Sequence, residues 1–170
     1  RPEEATVLLL DANVLLNANR LYYPLEVVPE FWEWLRHQAE NGAVKMPLEI
    51  IEEITDGGDD LAAWLADCHG AMCLDEVADA DRVRDVLQWG YGPNLTDEEV
   101  AKIGRDPFLV AAALGDTGNR RVITAEVSAS SKQRANRKVP DVCVSLGVQW
   151  ADPFALTRDL NFSTRWRSGR

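Results

Sequence analysis

Apolar residues in this chain fall into short continuous runs and into longer stretches with helical spacing. The runs at residues 7–10 and 122–124, with a weaker third at 147–150, are typical of strands covered on both faces of a parallel sheet. Between them, apolar residues recur every three or four positions among charged ones, which indicates amphipathic helices. Strands that alternate with helices predict an α/β fold built around a parallel sheet.

Prolines, acidic residues and glycines mark the ends of the predicted helices. Residues 90–94 are predicted to form a loop, and Thr96 with Glu99 has the pattern of a capping box that opens a short helix. The predicted helices are residues 29–39, 47–56, 59–65, 79–89, a short one from 96, then 106–114, 140–146 and 153–160.

The chain length of 170 residues fits a single domain that buries about two-thirds of its unfolded-chain surface. We assign residues 1–162 to this domain and expect the basic residues 163–170 to form a flexible tail. Three cysteines without a Cys-x-x-Cys pair indicate no disulfide framework, and two histidines are too few for a His-rich zinc site. With neither a membrane-spanning apolar run nor a signal-peptide segment, we expect a cytoplasmic protein.

The net charge of −10 at pH 7 restricts the partners that the protein can bind. A protein that binds nucleic acid by neutralising phosphates should be basic. Either the acids are concentrated where cations sit, or the partner is not a polyanion. Residues 120–138 differ from the rest, with six Lys and Arg residues against one acid. They predict either a mobile solvated loop or a surface that guides an RNA backbone, formed by Lys132, Arg134, Arg137 and Lys138.

Two acidic residues stand directly past the ends of predicted strands. Asp11 follows the first apolar run, and Glu126 follows the run at 122–124. Because parallel strands end at the same edge of a sheet, we expect both carboxylates to point toward that edge, where ligands bind in such folds. A half-buried carboxylate is costly without a partner, and a bound cation would supply one.

Two further acids are ambiguous when taken alone. Asp106 begins an apolar helix and either caps it or serves a site, and Asp152 before Pro153 offers a capping aspartate for comparison. Glu53 is either solvated surface or part of a site, because it lies beside Ile50 and Ile54 on the predicted apolar stripe.

Taken together, four segments resemble the motifs of the PIN-domain family. Residues 9–16, Leu-Leu-Asp-Ala-Asn-Val-Leu-Leu, resemble its opening strand, and residues 46–54 resemble the helix that presents its second acid. Residues 106–113 and 122–126 are similar to its third and fourth acidic elements. The order and spacing agree over roughly residues 6–150. Residues 138–143, Lys-Val-Pro-Asp-Val-Cys, are similar to a segment of a bacterial PIN subgroup.

The resemblance implies a three-layer α/β/α sandwich with a central parallel sheet and a ribonuclease that depends on Mg²⁺ or Mn²⁺. In that interpretation Asp11, Glu53 and Asp106 hold the ion, and either Glu126 or Asp141 acts as the outer acid. Asp141 could equally begin a helix. Asn13 and Thr124 would hydrogen-bond the metal-holding carboxylates.

The resemblance also implies partners. Many single-domain bacterial PIN proteins are toxins of toxin–antitoxin pairs, which implies an RNA substrate, an antitoxin protein and a homodimer. We expect the aromatic helix at 29–34 to be exposed as the contact surface.

Two departures from the family pattern keep an alternative open. Ala12 replaces the usual threonine, and Glu126 is one methylene longer than the usual aspartate. The chain is then either an active nuclease or a catalytically weakened PIN domain that binds nucleic acid or protein. A haloacid-dehalogenase-type phosphotransferase would need a second aspartate where Asn13 stands, and glycine-rich nucleotide-binding loops are missing from the sequence.

Overall fold

The computed structural model of the protein describes residues 5–168. Its strands are β1 (Val7–Leu10), β2 (Val44–Lys45), β3 (Arg120–Ile123) and β4 (Gln149–Ala151). They form one all-parallel sheet in the order β2-β1-β3-β4. Helices cover this sheet in a three-layer α/β/α sandwich, so the predicted fold class is confirmed. The three strands predicted from apolar runs are the strands β1, β3 and β4.

Ten α-helices connect and cover the strands within residues 5–168. They are α1 (Ala12–Asn17), α2 (Pro29–Glu40), α3 (Leu48–Thr55), α4 (Asp60–Asp67), α5 (His69–Met72), α6 (Ala80–Asp85), α7 (Asp97–Ile103), α8 (Asp106–Leu114), α9 (Val139–Leu146) and α10 (Pro153–Asp159). The capping box predicted at Thr96 and Glu99 is present at the start of α7. The helix directly after Asp11 was not predicted, because its apolar residues continue the pattern of the strand before it.

Two wide π-helical segments, Ala18–Tyr22 and Val86–Tyr91, extend α1 and α6. Each contains a hydrogen bond across five residues, from Tyr23 N to Ala18 O and from Gly92 N to Leu87 O. The second segment includes Gly90 and Tyr91, so the predicted loop at 90–94 begins too early. Such segments are frequent near functional sites.

The core contains the aromatic residues of α2. Phe31, Trp32 and Trp34 are each at most 2% exposed, and Trp32 Nε1 donates a hydrogen bond to the backbone oxygen of Tyr23 at 2.6 Å. Phe31 also stacks on Tyr23 with ring centroids 4.3 Å apart. The expectation of an exposed aromatic helix at 29–34 was therefore wrong, because these rings cover the sheet and cannot offer a contact surface.

Strand β2 had no recognisable signal in the sequence. It has only two residues, which pair with Leu8 and Leu9 of β1. Lys45 reaches over the edge and donates hydrogen bonds to the backbone oxygens of Ala71 and Ala39. A strand of this length does not show the alternation on which pattern recognition depends.

The Gly90→Ala substitution should destabilise the protein by about 1–3 kcal/mol, the usual cost of overpacking. A Cβ at Gly90 would stand 2.7 Å from Cγ1 of Val142 and 3.1 Å from Cδ1 of Leu146. Gly70→Ala is the matched control, since no atom lies within 4 Å of its added Cβ. Urea unfolding should separate the two variants. Equal stability would contradict this close contact between the π-helix and α9.

Residues 163–168 form turns on the surface. Trp166 lies over the ring of His37, with centroids 5.0 Å apart, and Arg167 pairs with Glu33 at 3.2 Å. The rest of the predicted tail, residues 169–170, lies outside the described residues. None of the helices within residues 5–168 is long and apolar enough to cross a membrane.

Candidate active site

Asp11 and Thr124 follow directly on the two inner strands and stand side by side. Because Leu10 is in register with Ile123, the next residues of β1 and β3 emerge together at the carboxyl edge of the sheet. Thr124 Oγ1 donates a hydrogen bond to Asp11 Oδ2 at 2.9 Å, and both residues are buried. This is the edge at which open parallel sheets usually bind their ligands.

Asn13 ties Asp11 to the loop after β3. Its Nδ2 donates to Asp11 Oδ2 at 3.2 Å, and its Oδ1 accepts from the backbone nitrogen of Ala125 at 2.9 Å. Thr124 Oγ1 in turn accepts from the backbone nitrogen of Glu126 at 3.2 Å. The Asp11 carboxylate is thus oriented by two polar side chains that are themselves held by the loop backbone.

Asp106 opens α8 without capping it. The N-cap position belongs to Arg105, and no side-chain oxygen caps the helix. Asp152 shows the difference, since its Oδ1 accepts from the backbone nitrogen of Ala155 at 3.0 Å at the start of α10. The capping interpretation of Asp106 is therefore wrong. Its half-buried carboxylate is available to other partners.

Glu126 and Glu53 are presented by two other elements. Glu126 is half-buried in the loop after β3, and its Oε2 accepts from the backbone nitrogen of Val139, the first residue of α9, at 2.6 Å. Glu53 is exposed on α3, next to the buried Ile54. Glu126 is therefore anchored, whereas Glu53 extends into solvent.

These four carboxylates influence one another electrostatically. Burial first, and then the charges of Asp11, Glu126 and Glu53, raise the pKa of Asp106 to about 8. The positive charge of Lys138 opposes this rise. Asp106 therefore lies within range of all three other acids, although they come from separate parts of the chain.

Asp11 shows the same effect. Burial raises its pKa to about 6 against the hydrogen bond from Thr124, and Glu126 and Glu53 raise it further. The buried thiol of Cys143 beneath the site also has a raised pKa, about 12, owing first to burial and then to Asp11 and Glu126. Negative charge is costly throughout this region, and a bound cation would lower that cost.

Asp141 is used differently from the other predicted metal-site residues. Its Oδ1 accepts from Ser128 Oγ at 2.5 Å and its Oδ2 from the backbone nitrogen of Ala129 at 2.9 Å. These hydrogen bonds lower its pKa. Both oxygens thus fasten the 128–129 loop to the start of α9, and the arrangement favours Glu126 over Asp141 as the fourth acid.

Two of the four predicted RNA-binding residues are engaged within the protein. Arg134 makes two hydrogen bonds to the carboxylate of Glu99, at 2.8 and 2.9 Å. Arg137 donates to the backbone oxygen of Gly90 and, at 2.9 Å, to Ser145 Oγ. Their guanidinium groups hold the fold together. This leaves Lys132 and Lys138 as the predicted cations that could contact a phosphate.

A cleft of about 340 Å³ joins the acids to these lysines. Asp106 and Glu126 line one part of it, and its lining also includes Lys102, Lys132 and Lys138. Tyr91 completes the lining, with a hydroxyl group that is buried and makes no hydrogen bond within residues 5–168. Neither Lys102 nor Tyr91 was predicted, since neither lies in a segment that resembles a PIN motif or in the basic segment 120–138.

A larger cavity of about 640 Å³ borders the same loop. Five aromatic residues contribute to its wall, namely Tyr22, Tyr23, Phe31, Trp150 and Phe154. Thr124 and Glu126 border this larger cavity, and Glu126 also borders the smaller cleft, whereas Asp106 and the lysines line only the smaller cleft.

The donor set fits a hard cation in its chemistry. All candidate ligands are carboxylate oxygens, which Mg²⁺ and Mn²⁺ prefer. Across residues 5–168, no group of three or more His, Cys, Asp or Glu side chains is arranged to hold a metal ion as the side chains stand. Mg²⁺ usually keeps several waters and takes only one or two carboxylates directly, so such a site does not need three direct ligands.

The chain matches a protein-family model. The model of a family described as "Domain of unknown function (DUF4411)" matches residues 8–164, which include all four clustered acids. No curated protein and no solved structure matches the chain.

Proposed function

The chain belongs to the DUF4411 family, a domain of unknown function, and on that premise we propose that it is a metal-dependent endoribonuclease of PIN type. The observation that carries this proposal is the electrostatic cluster of four acids at the carboxyl edge of the sheet. Burial and mutual repulsion raise the pKa values of Asp11 and Asp106. A fold keeps such a costly group of carboxylates where a cation or a proton transfer requires it.

In this proposal Asp11, Asp106 and Glu53 would hold Mg²⁺ or Mn²⁺, directly or through water. When bound, the ion would activate a water molecule and offset negative charge on the phosphodiester. Asn13 and Thr124 keep the Asp11 carboxylate in one orientation through their hydrogen bonds. Glu126, fixed by Val139 N, would help to orient water in the same cleft.

The lysines of the cleft supply the positive charge that the composition lacks. Lys102, Lys132 and Lys138 lie along the same cleft as Asp106 and Glu126. A strand of RNA that follows these lysines would bring a phosphate to the acids despite the net charge of −10. The local charge pattern therefore supports a polyanionic substrate.

The alternative is a weakened PIN domain that binds nucleic acid without cleaving it. Glu126 supports this alternative, because one of its oxygens already accepts the hydrogen bond from Val139 N. The two functions differ in one observable: the binding module retains RNA without turnover in the presence of metal.

The decisive experiment measures cleavage of mixed RNA by the protein in the presence of Mg²⁺, Mn²⁺ or a chelator. We expect internal cleavage with metal and none with chelator. The cleavage rate of Asp11→Asn should be at least about 100-fold lower, because even the loss of a residue that supports a metal ligand costs about 10–100-fold. Cleavage that survives the chelator, or full activity in Asp11→Asn, would refute the mechanism.

The regulatory context is a further part of the proposal. The PIN resemblance supports a toxin role with an antitoxin protein, a homodimer and a cytoplasmic location. The unpaired state of Cys68, Cys73 and Cys143 is in keeping with a reducing compartment. Because the aromatic residues of α2 are buried, an antitoxin or a second copy would have to contact another surface. Size-exclusion chromatography with light scattering would determine whether the protein is a dimer.

A further inference from the structure

Tyr91 carries a polar group that the fold itself does not use. Its side chain is 4% exposed, and its hydroxyl is buried without a hydrogen-bond partner within residues 5–168. Burying an unpaired hydroxyl costs on the order of 1–3 kcal/mol. Buried polar groups in proteins are nearly always paired, so an exception requires an explanation.

The position of this hydroxyl indicates what it is for. Tyr91 lines the cleft together with Asp106 and Glu126, and the charges of these two acids are the strongest acting on its phenol. A carboxylate could only accept a hydrogen bond, yet neither acid does so from Tyr91. Tyr91 therefore stands in the wall of the cleft beside both acids, with a buried hydroxyl that has no acceptor within residues 5–168.

The backbone around Tyr91 holds it firmly. It is the last residue of the π-helix Val86–Tyr91, which the hydrogen bond from Gly92 N to Leu87 O widens. Gly90 lies against Val142 of α9 without room for a Cβ, and its oxygen accepts a hydrogen bond from Arg137. The backbone that carries Tyr91 is therefore fixed against α9, which suits a group that recognises a ligand.

We propose that Tyr91 is a substrate-contacting residue, whose hydroxyl donates a hydrogen bond to a phosphate oxygen of RNA bound in the cleft beside Asp106 and Lys138. This assignment rests on the proposed nuclease function and adds a subsite to it. A phosphate oxygen carries negative charge and no proton, so it can accept a hydrogen bond from the phenol of Tyr91 and pair with the ammonium group of Lys138. Water could satisfy the hydroxyl as well, but the neighbouring lysines favour an anion.

The test compares Tyr91→Phe with Tyr22→Phe, which removes a hydroxyl from a half-exposed tyrosine outside the cleft. Because the hydroxyl of Tyr91 has no hydrogen-bond partner within residues 5–168, Tyr91→Phe should melt at the same temperature as the wild type or higher. The same variant should lose about 10–100-fold in kcat/KM for RNA cleavage, the range for a hydrogen bond to a charged group. Tyr22→Phe should change neither quantity.

Binding provides a readout that does not depend on turnover. In the Asp11→Asn background, which is not expected to cleave, fluorescence anisotropy with a labelled oligoribonucleotide should show weaker binding when Tyr91→Phe is added. A fall in melting temperature for Tyr91→Phe would mean that the hydroxyl has a structural partner and would overturn the assignment. Unchanged RNA affinity and cleavage would overturn it too.

Failure of the nuclease proposal gives a different result. If the wild type binds RNA but never cleaves it, the binding comparison still tests Tyr91 as a phosphate contact. If the wild type does not bind RNA at all, the nuclease proposal and the Tyr91 proposal are both wrong. If the wild type binds RNA and Tyr91→Phe does not, the result supports Tyr91 as a phosphate contact.

Discussion

Asp106→Asn is expected to abolish metal-dependent cleavage and, at the same time, to stabilise the metal-free protein. Asparagine keeps the shape of the side chain but removes a charge that burial and three neighbouring acids disfavour. Relief of that repulsion should increase the free energy of unfolding at pH 8 by on the order of 1–2 kcal/mol, a large effect for one surface-accessible substitution. Loss of cleavage should be at least about 100-fold, because a metal-holding oxygen is lost.

The matched control is Asp152→Ala, which removes the other aspartate that precedes a proline at a helix start. Asp152 caps α10 through Ala155 N, so its loss should cost about 1 kcal/mol of stability and leave cleavage unchanged. Thermal unfolding in chelator and RNA cleavage in Mn²⁺ measure the two quantities. If Asp106→Asn destabilises the protein as Asp152→Ala does, Asp106 is a structural residue and the site is misassigned.

The contrast between these two aspartates marks the limit of sequence reasoning at the site. Both stand before a proline at the start of an apolar helix, so local pattern cannot distinguish them. What distinguishes them is tertiary structure: the first turn of α8 faces three other acids, whereas the first turn of α10 accepts an ordinary cap. By contrast, Asp11 was predictable from the apolar run that it follows, and Thr124, the last residue of the second run, was expected beside it from the PIN resemblance.

The basic segment shows a related limit. Its composition predicted a row of cations for RNA, yet Arg134 is bonded to Glu99 and Arg137 to the backbone of Gly90. A sequence shows which residues are charged but not which of them are paired with other groups of the folded protein. Lys102 and Tyr91 join the cleft from α7 and the π-helix, which come near it only when the layers pack. Elements that depend on long-range packing, such as β2, likewise leave no periodic pattern of apolar residues in the sequence.

The metal-free protein is expected to lose stability as the pH rises from about 4 to about 8. Asp11 and Asp106 have folded-state pKa values of about 6 and about 8, above the ordinary value of 3.8. In this range the folded state binds more protons than the unfolded state, so the free energy of unfolding falls as the pH increases. One pKa unit corresponds to about 1.4 kcal/mol, and after allowance for partial hydration we expect a fall on the order of 2–4 kcal/mol.

Groups with lowered pKa values act in the opposite direction at lower pH. The hydrogen bond from Arg134 lowers the pKa of Glu99 to about 2, so its contribution is present above about pH 4.5 and is lost on acidification. The two effects together place the stability maximum of the metal-free protein in mildly acidic solution. In a protein without the acid cluster, the free energy of unfolding would instead stay constant from mildly acidic to neutral pH.

Urea unfolding in chelator at several pH values between 4 and 9 tests this expectation, with Asp106→Asn as the control that should flatten the alkaline fall. Mn²⁺ at a fixed concentration of about 100 times its Kd at pH 8 should restore about 2.7 kcal/mol near pH 8. The same concentration should restore little near pH 5, because protons and the cation compete for the same oxygens. A stability that is level from pH 5 to 9, or a metal effect equal at both ends, would show that the carboxylates do not repel one another. The proposed site would then lose the electrostatic property that distinguishes it from ordinary surface acids.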